Sequence, residues 1–132
     1  MIGLRQVVLV GTSAAFSLPA LALDARDVAA VVAKQNEYLP RMVAKDLRQE
    51  RLESSGMTLI YKYTHLSLDS AQLRAMNLAV TQRPYILPGL CTASDTSRTL
   101  REGVSYRYVY RGSDGVVASD FVLSQVDCRN QR

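Results

Sequence analysis

The sequence predicts an α+β domain, and three observations carry that prediction. Apolar residues recur at helical spacing in two segments, Asp24 to Tyr38 and Asp69 to Val80. They alternate with period two in Met57 to Thr64 and Val104 to Arg111, and Val116 to Val126 returns from a Gly-Ser-Asp-Gly turn as a partner strand. With 132 residues, 48% of them apolar and 21% charged, the chain has the composition of one ordinary globular domain. Disorder would need far fewer apolar residues, collagen a strict glycine period, and a multidomain enzyme a longer chain.

The first segment reads as an address. Arg5 supplies a positive start, Val7 to Leu18 is an apolar core, and Ala20-Leu21-Ala22 fits the small-x-small pattern at which leaders are cut. The competing reading is a membrane anchor. The uncharged run from Gln6 to Leu23, however, contains Gly11, Thr12, Ser13, Ser17 and Pro19 and barely reaches the roughly 20 apolar residues of a spanning helix. The organisation expected is a signal peptide at 1–22 and a single domain at 23–132, with no transmembrane segment in the mature form. Cys91 is the first cysteine, so none stands at the cut to take a lipid.

Along the mature chain, Asp24 and Asp27 fall in the first turn of a helix whose Val28, Val31, Val32 and Leu39 share a stripe, and Pro40 ends it. Arg41 to Glu53 is ambiguous: its helix propensity is good, yet it is short, highly charged and followed by the turn signal Ser54-Ser55-Gly56. Met57, Leu59, Tyr61 and Tyr63 then line one face of a half-buried strand. Asp69 with Gln72 resembles a capping box opening a helix with the stripe Leu73, Met76, Val80, which Pro84 stops. Pro84 to Leu90, with two prolines and a glycine, is expected to be an extended loop delivering Cys91. A short helix follows from Ser94 or Asp95 to Gly103.

The final hairpin has a countable register. With Gly112 to Gly115 as its loop, Arg111 faces Val116, Tyr106 lies opposite Phe121, and Arg107 lies opposite Asp120, which joins aromatics inside and opposite charges outside. Cys91 and Cys128, an even pair in an exported chain, are expected to form a disulfide. Closing their loop stabilises a domain by about 4 kcal/mol in the chain-entropy account. A redox-active pair would normally be two residues apart at a helix start.

The succession Leu39-Pro40, Arg51-Leu52, Leu59-Ile60-Tyr61-Lys62-Tyr63-Thr64, Cys91, Gly103-Val104-Ser105-Tyr106-Arg107-Tyr108-Val109-Tyr110, Asp114-Gly115 and Cys128 resembles a widespread group of small exported bacterial proteins of unknown function. The resemblance spans nearly all of the mature chain. It implies an N-terminal helix and a second helix packed on a small antiparallel sheet of three to four strands, with the two cysteines joined, and it brings no catalytic residue. It also turns the ambiguous segment toward a strand, Asp46 to Glu53, hairpinned to the next.

The chemistry is bounded mostly by exclusion. His65 is the only histidine, and with both cysteines oxidised a zinc site of nitrogen and sulfur ligands has no ligand set; no metal or cofactor is expected. His65 could orient Ser67, but there is no G-x-S-x-G elbow. Asp114 has turn chemistry to explain it and Asp120 has Arg107, so neither stands out as a glycosidase carboxylate. Gly112-Ser113-Asp114-Gly115 lies between strands, not before a helix, so it is no phosphate loop. The formal net charge of +4 is spread among alternating signs, as in Arg41, Lys45, Asp46, Arg48, Glu50, Arg51 and Glu53, which argues against nucleic acid.

Five of the seven tyrosines, Tyr61, Tyr63, Tyr106, Tyr108 and Tyr110, share a facing within their strands. They form either a recognition surface or, the better reading, a sheet face under the helices. The expected function is that of a non-enzymatic periplasmic or secreted binding or envelope-assembly module with one envelope protein as partner. The alternatives are a small envelope hydrolase using His65 with a nearby serine or carboxylate, an immunity-type inhibitor, and a structural envelope protein.

Overall fold

The computed structural model describes residues 22–129, so the leader expected at 1–22 lies, apart from Ala22, outside the described residues. Six helices and six strands are described, in the order α1 (Ala25–Gln35), β1 (Arg41–Ala44), β2 (Leu47–Gln49), β3 (Glu53–Ser55), β4 (Thr58–His65), α2 (Ser70–Ala75), α3 (Leu78–Thr81), α4 (Arg83–Thr92), α5 (Ser94–Arg101), β5 (Ser105–Arg111), β6 (Val117–Leu123) and α6 (Gln125–Arg129). The α+β reading holds, with a larger sheet than the three to four strands expected. Its order is β1-β2-β4-β5-β6, and β3 joins β4 beside β2.

Helix α1 starts where its sequence says it should. The Asp24 carboxylate accepts from the amides of Arg26 and Asp27, and Asp27 returns a bond to the Asp24 amide. Val28 and Val31 turn inward. The charged segment that read ambiguously is extended but broken. β1 and β2 form one hairpin, and β2 and β3 each run antiparallel to β4, Leu47 opposite His65 and Ser55 opposite Thr58.

Three expectations are corrected. The sheet is mixed, because β4 and β5 lie parallel, Tyr61 beside Tyr108 and Tyr63 beside Tyr110. Parallel neighbours need a long crossover, and α2 to α5 supply it. Pro84 to Leu90 is helical: Pro84 sits in the first turn, where its missing amide costs nothing, and Ile86, Leu87 and Leu90 are buried. Pro88 lies inside that helix, and burial of those three side chains overrides its cost. The single helix expected over Asp69 to Val80 is two, since Asn77 takes a left-handed φ of 50°. Leu73 and Leu78 are therefore buried, and Met76 and Val80 are exposed.

The hairpin register differs from the count by two residues. Tyr108 lies opposite Phe121, Tyr106 opposite Leu123 and Arg107 opposite Val122, with an irregularity between Tyr110 and Arg111. Beyond the irregularity the slip is even, so the aromatics remain inside and the charges outside, whereas at Arg111 the partner is Val117, one residue from the count, which turns Val117 to the outer face. The core lies between the inner sheet face and the helices, built of Leu59, Tyr61, Tyr63, Tyr106, Tyr108, Phe121 and Leu123 against Val28, Val31, Leu73, Leu78, Ile86, Leu90 and Leu100. Cys91 of α4 and Cys128 of α6 are joined, 37 residues apart in sequence.

Candidate functional site

The five tyrosines are buried. Tyr61 stacks on Tyr106 and Tyr108 with ring centroids 6.0 and 5.4 Å apart, Tyr63 on Tyr110 at 5.1 Å, and Phe121 closes the stack against Tyr108 and Tyr110. Offset stacking adds to the apolar burial of each ring. Burial pushes the phenol of Tyr106 up to about 12 and those of Tyr61, Tyr63, Tyr108 and Tyr110 further. They are held protonated and offer no exposed recognition surface.

The same face carries polar groups that find no protein partner among the described residues: the hydroxyls of Tyr61, Tyr108 and Tyr110, both amide atoms of Gln49, Nε2 of Gln35 and Nε of Arg41. Strand register puts Arg41, Gln49, Tyr63 and Tyr110 in one row across four strands. Gln49 is the least ordinary member, a fully buried amide facing the aromatic stack.

His65 and Ser67 do come together, at the open end of β4. The Ser67 hydroxyl lies 3.4 Å from His65 Nδ1 and donates to Asp46 Oδ2 at 3.2 Å. The order is wrong for nucleophile activation, because the carboxylate engages the serine and not the imidazole. Nδ1 is also occupied, accepting from the amides of Leu68 at 3.0 Å and Ser67 at 3.3 Å. These contacts describe a turn held by an imidazole acceptor. Among the described residues no group of three or more His, Cys, Asp or Glu could hold a metal.

Arg107 and Asp120 form a two-pronged ion pair on the outer face, its Nε donating to Oδ1 at 2.7 Å. They pair diagonally, not directly opposite. The Arg107 guanidinium holds the Asp120 carboxyl below its usual range. Asp114 is likewise lowered, first by the Ser70 hydroxyl, which donates to it at 2.8 Å and ties the β5–β6 loop to the start of α2.

The outer face holds what the sequence did not single out. Ile60 lies between Glu53 and Arg107, and Val109 between Lys62 and Asp120. The pairs Lys62–Glu53 and Arg107–Asp120 cross this apolar centre diagonally. On β6 this face carries Val117, 39% exposed, and Val122, 48% exposed, with Asp120 between them, and Val116 before the strand and Val126 in α6 are exposed as well. β6 ends the sheet order, and no strand pairs with its far side among the described residues. The alternation of Val116 to Val126 carried the signal for a strand, but not for an edge.

The chain matches no protein-family model and no curated protein sequence. Its fold does match solved structures. PA3611 of Pseudomonas aeruginosa, a protein assigned as secreted, superposes with a TM-score of 0.68 at 14% identity over 80% of this chain and 92% of that one. The pilotin EpsS of the Vibrio vulnificus type 2 secretion system gives 0.52 at 19% identity over 94% and 93%. The type II secretion system pilotin AspS of Vibrio cholerae gives 0.51 at 18% identity over 94% of each chain. At these identities the likeness is one of fold.

Proposed function

We propose that the protein is a non-enzymatic accessory module of an envelope assembly apparatus, exported by its leader to the periplasm or beyond, which holds an extended segment of one envelope protein along β6. The observation that carries this is where the molecule leaves apolar surface in water. Five of its seven tyrosines are spent on the core, while the terminal strand of the sheet keeps two valines open and pairs with no strand on its far side among the described residues. A free edge adds a strand from a partner through main-chain bonds, with alternate side chains supplying selectivity. Arg74 reaches the Val117 carbonyl and Arg111 the Gly115 carbonyl, so the start of β6 is bracketed by two cations and suits a segment carrying a carboxylate there. The fold shared with two pilotins across nearly the whole chain supports the same class of role by analogy.

The test compares the mature protein with a Val117→Glu/Val122→Glu variant as baits for the detergent-solubilised envelope. Both side chains already face water, so thermal unfolding should be nearly unchanged. The expected result is one envelope protein retained by the wild type and lost by the variant. Equal retention by both, or retention of nothing by either, overturns the proposal.

A further inference from the structure

The amide nitrogen of Leu23 donates to Glu102 Oε1 at 2.9 Å across 79 residues of sequence. Leu23 is only 8% exposed and belongs to the core, whereas Ala22 before it is exposed. Burial thus sets in, among the described residues, at the residue that follows the expected small-x-small cut. Glu102 is itself anchored, its other oxygen accepting from Arg98 Nε at 2.9 Å.

We infer that removal of the leader between Ala22 and Leu23 creates an ion pair that the uncut chain cannot make, the new α-ammonium of Leu23 seated on the Glu102 carboxylate. Hydrolysis by a leader peptidase breaks the Ala22–Leu23 C–N bond. One water supplies the second carboxylate oxygen of Ala22 and both protons that turn the Leu23 amide nitrogen into an ammonium. A neutral donor at 2.9 Å thus becomes a charged one without moving, and charge-assisted bonds are roughly twice as strong. A bare ammonium beside the start of α1 would be opposed by the positive end of that helix. Glu102 offsets this, together with Asp24 and Asp27 of the first turn. The cations that act on these carboxylates are Arg26 of α1, on Asp24, and Arg98 and Arg101 of α5, on Glu102. The contact ties the new N-terminus to the corner where α5 enters β5, so processing and native stability are coupled.

The inference rests on the leader reading, not on the docking proposal, and N-terminal sequencing of the exported protein separates the two. Leu23 is the expected first residue, and any other overturns the inference. The amine of the processed protein, followed by NMR against pH, should titrate about one unit above the ordinary α-amino range of roughly 7.7–8.0, equivalent to tenfold tighter proton binding in the native state. A raised value means stability present below the unfolded value and lost as pH rises through the native one. The processed protein should therefore lose more thermal stability between about pH 8 and 9, below the phenol range, than a chain with Gly-Ser inserted before Leu23. Glu102→Gln should return the amine to its ordinary range. An amine titrating normally in the wild type contradicts the inference without any variant having to fold, and so does an equal loss over about pH 8 to 9 in the processed and extended chains.

Discussion

The hydroxyl of Tyr106 lies 2.7 Å from that of Thr99, both groups buried, while the hydroxyl of Tyr108 two residues further along the same strand meets no protein group among the described residues. The stack therefore combines one satisfied phenol with others that carry the cost of desolvation. The Thr99 hydroxyl donates to the Thr96 carbonyl at 2.9 Å, which makes Tyr106 the donor to Thr99, so Tyr106→Phe removes one buried bond and should destabilise by about 1 kcal/mol, whereas Tyr108→Phe removes an unpaired polar atom and should be neutral or stabilising. Chemical denaturation of the two variants checks the contrast. A larger loss from Tyr108→Phe than from Tyr106→Phe would contradict it.

Alkaline titration should report the five buried tyrosines as one block: desolvation holds Tyr61, Tyr63, Tyr106, Tyr108 and Tyr110 protonated until the protein unfolds. The unfolded chain releases its phenol protons near pH 10 and the native one later, so above that pH the unfolded state binds fewer protons and stability falls. Absorbance at 295 nm should show five phenolates appearing in a step that coincides with loss of circular dichroism, and their appearance while the dichroism is intact would contradict this.

The Cys91–Cys128 bridge staples α4 to α6, two short helices. Replacing both cysteines by serine should cost about 4 kcal/mol by loop-closure entropy. Equilibrium unfolding of the variant measures this directly, and intact mass after alkylation of the native protein should show no free thiol.

Gly112 carries the close approach of the hairpin to α2. A Cβ there would run into the backbone of Asp69 and Ser70 and into the Asp114 carboxylate. Gly112→Ala should destabilise by more than about 2 kcal/mol, because backbone, not a flexible side chain, stands in the way. Gly89, with open space around its Cβ position, is the matched control, and Gly89→Ala should be neutral or stabilising.

Local rules made part of this fold readable. Asp24 caps α1, Tyr61 and Tyr63 alternate inward, and Gly112 to Gly115 turn the last hairpin because caps, period and turns act over a few residues. The rest depended on distant partners. Nothing near β4 or β5 in sequence announces that they lie parallel, the burial of Ile86 and Leu90 overrode the prolines around them, and the last hairpin pairs one residue off the count at Arg111 and two beyond the irregularity at Tyr110. At the candidate site the sequence marked Arg107 and Asp120, and the structure pairs them. It marked the tyrosines too, which the structure buries, and passed over Val117 and Val122, whose meaning depends on β6 being an edge.

The docking claim is tested most directly by contact in the living envelope. A photo-crosslinking residue at position 122 should give one discrete adduct with a single envelope protein, joined through a segment that is extended and bears a carboxylate, while the same residue at position 26 on the exposed side of α1 gives none. Adducts of equal yield from both positions, or none from position 122, would contradict the account.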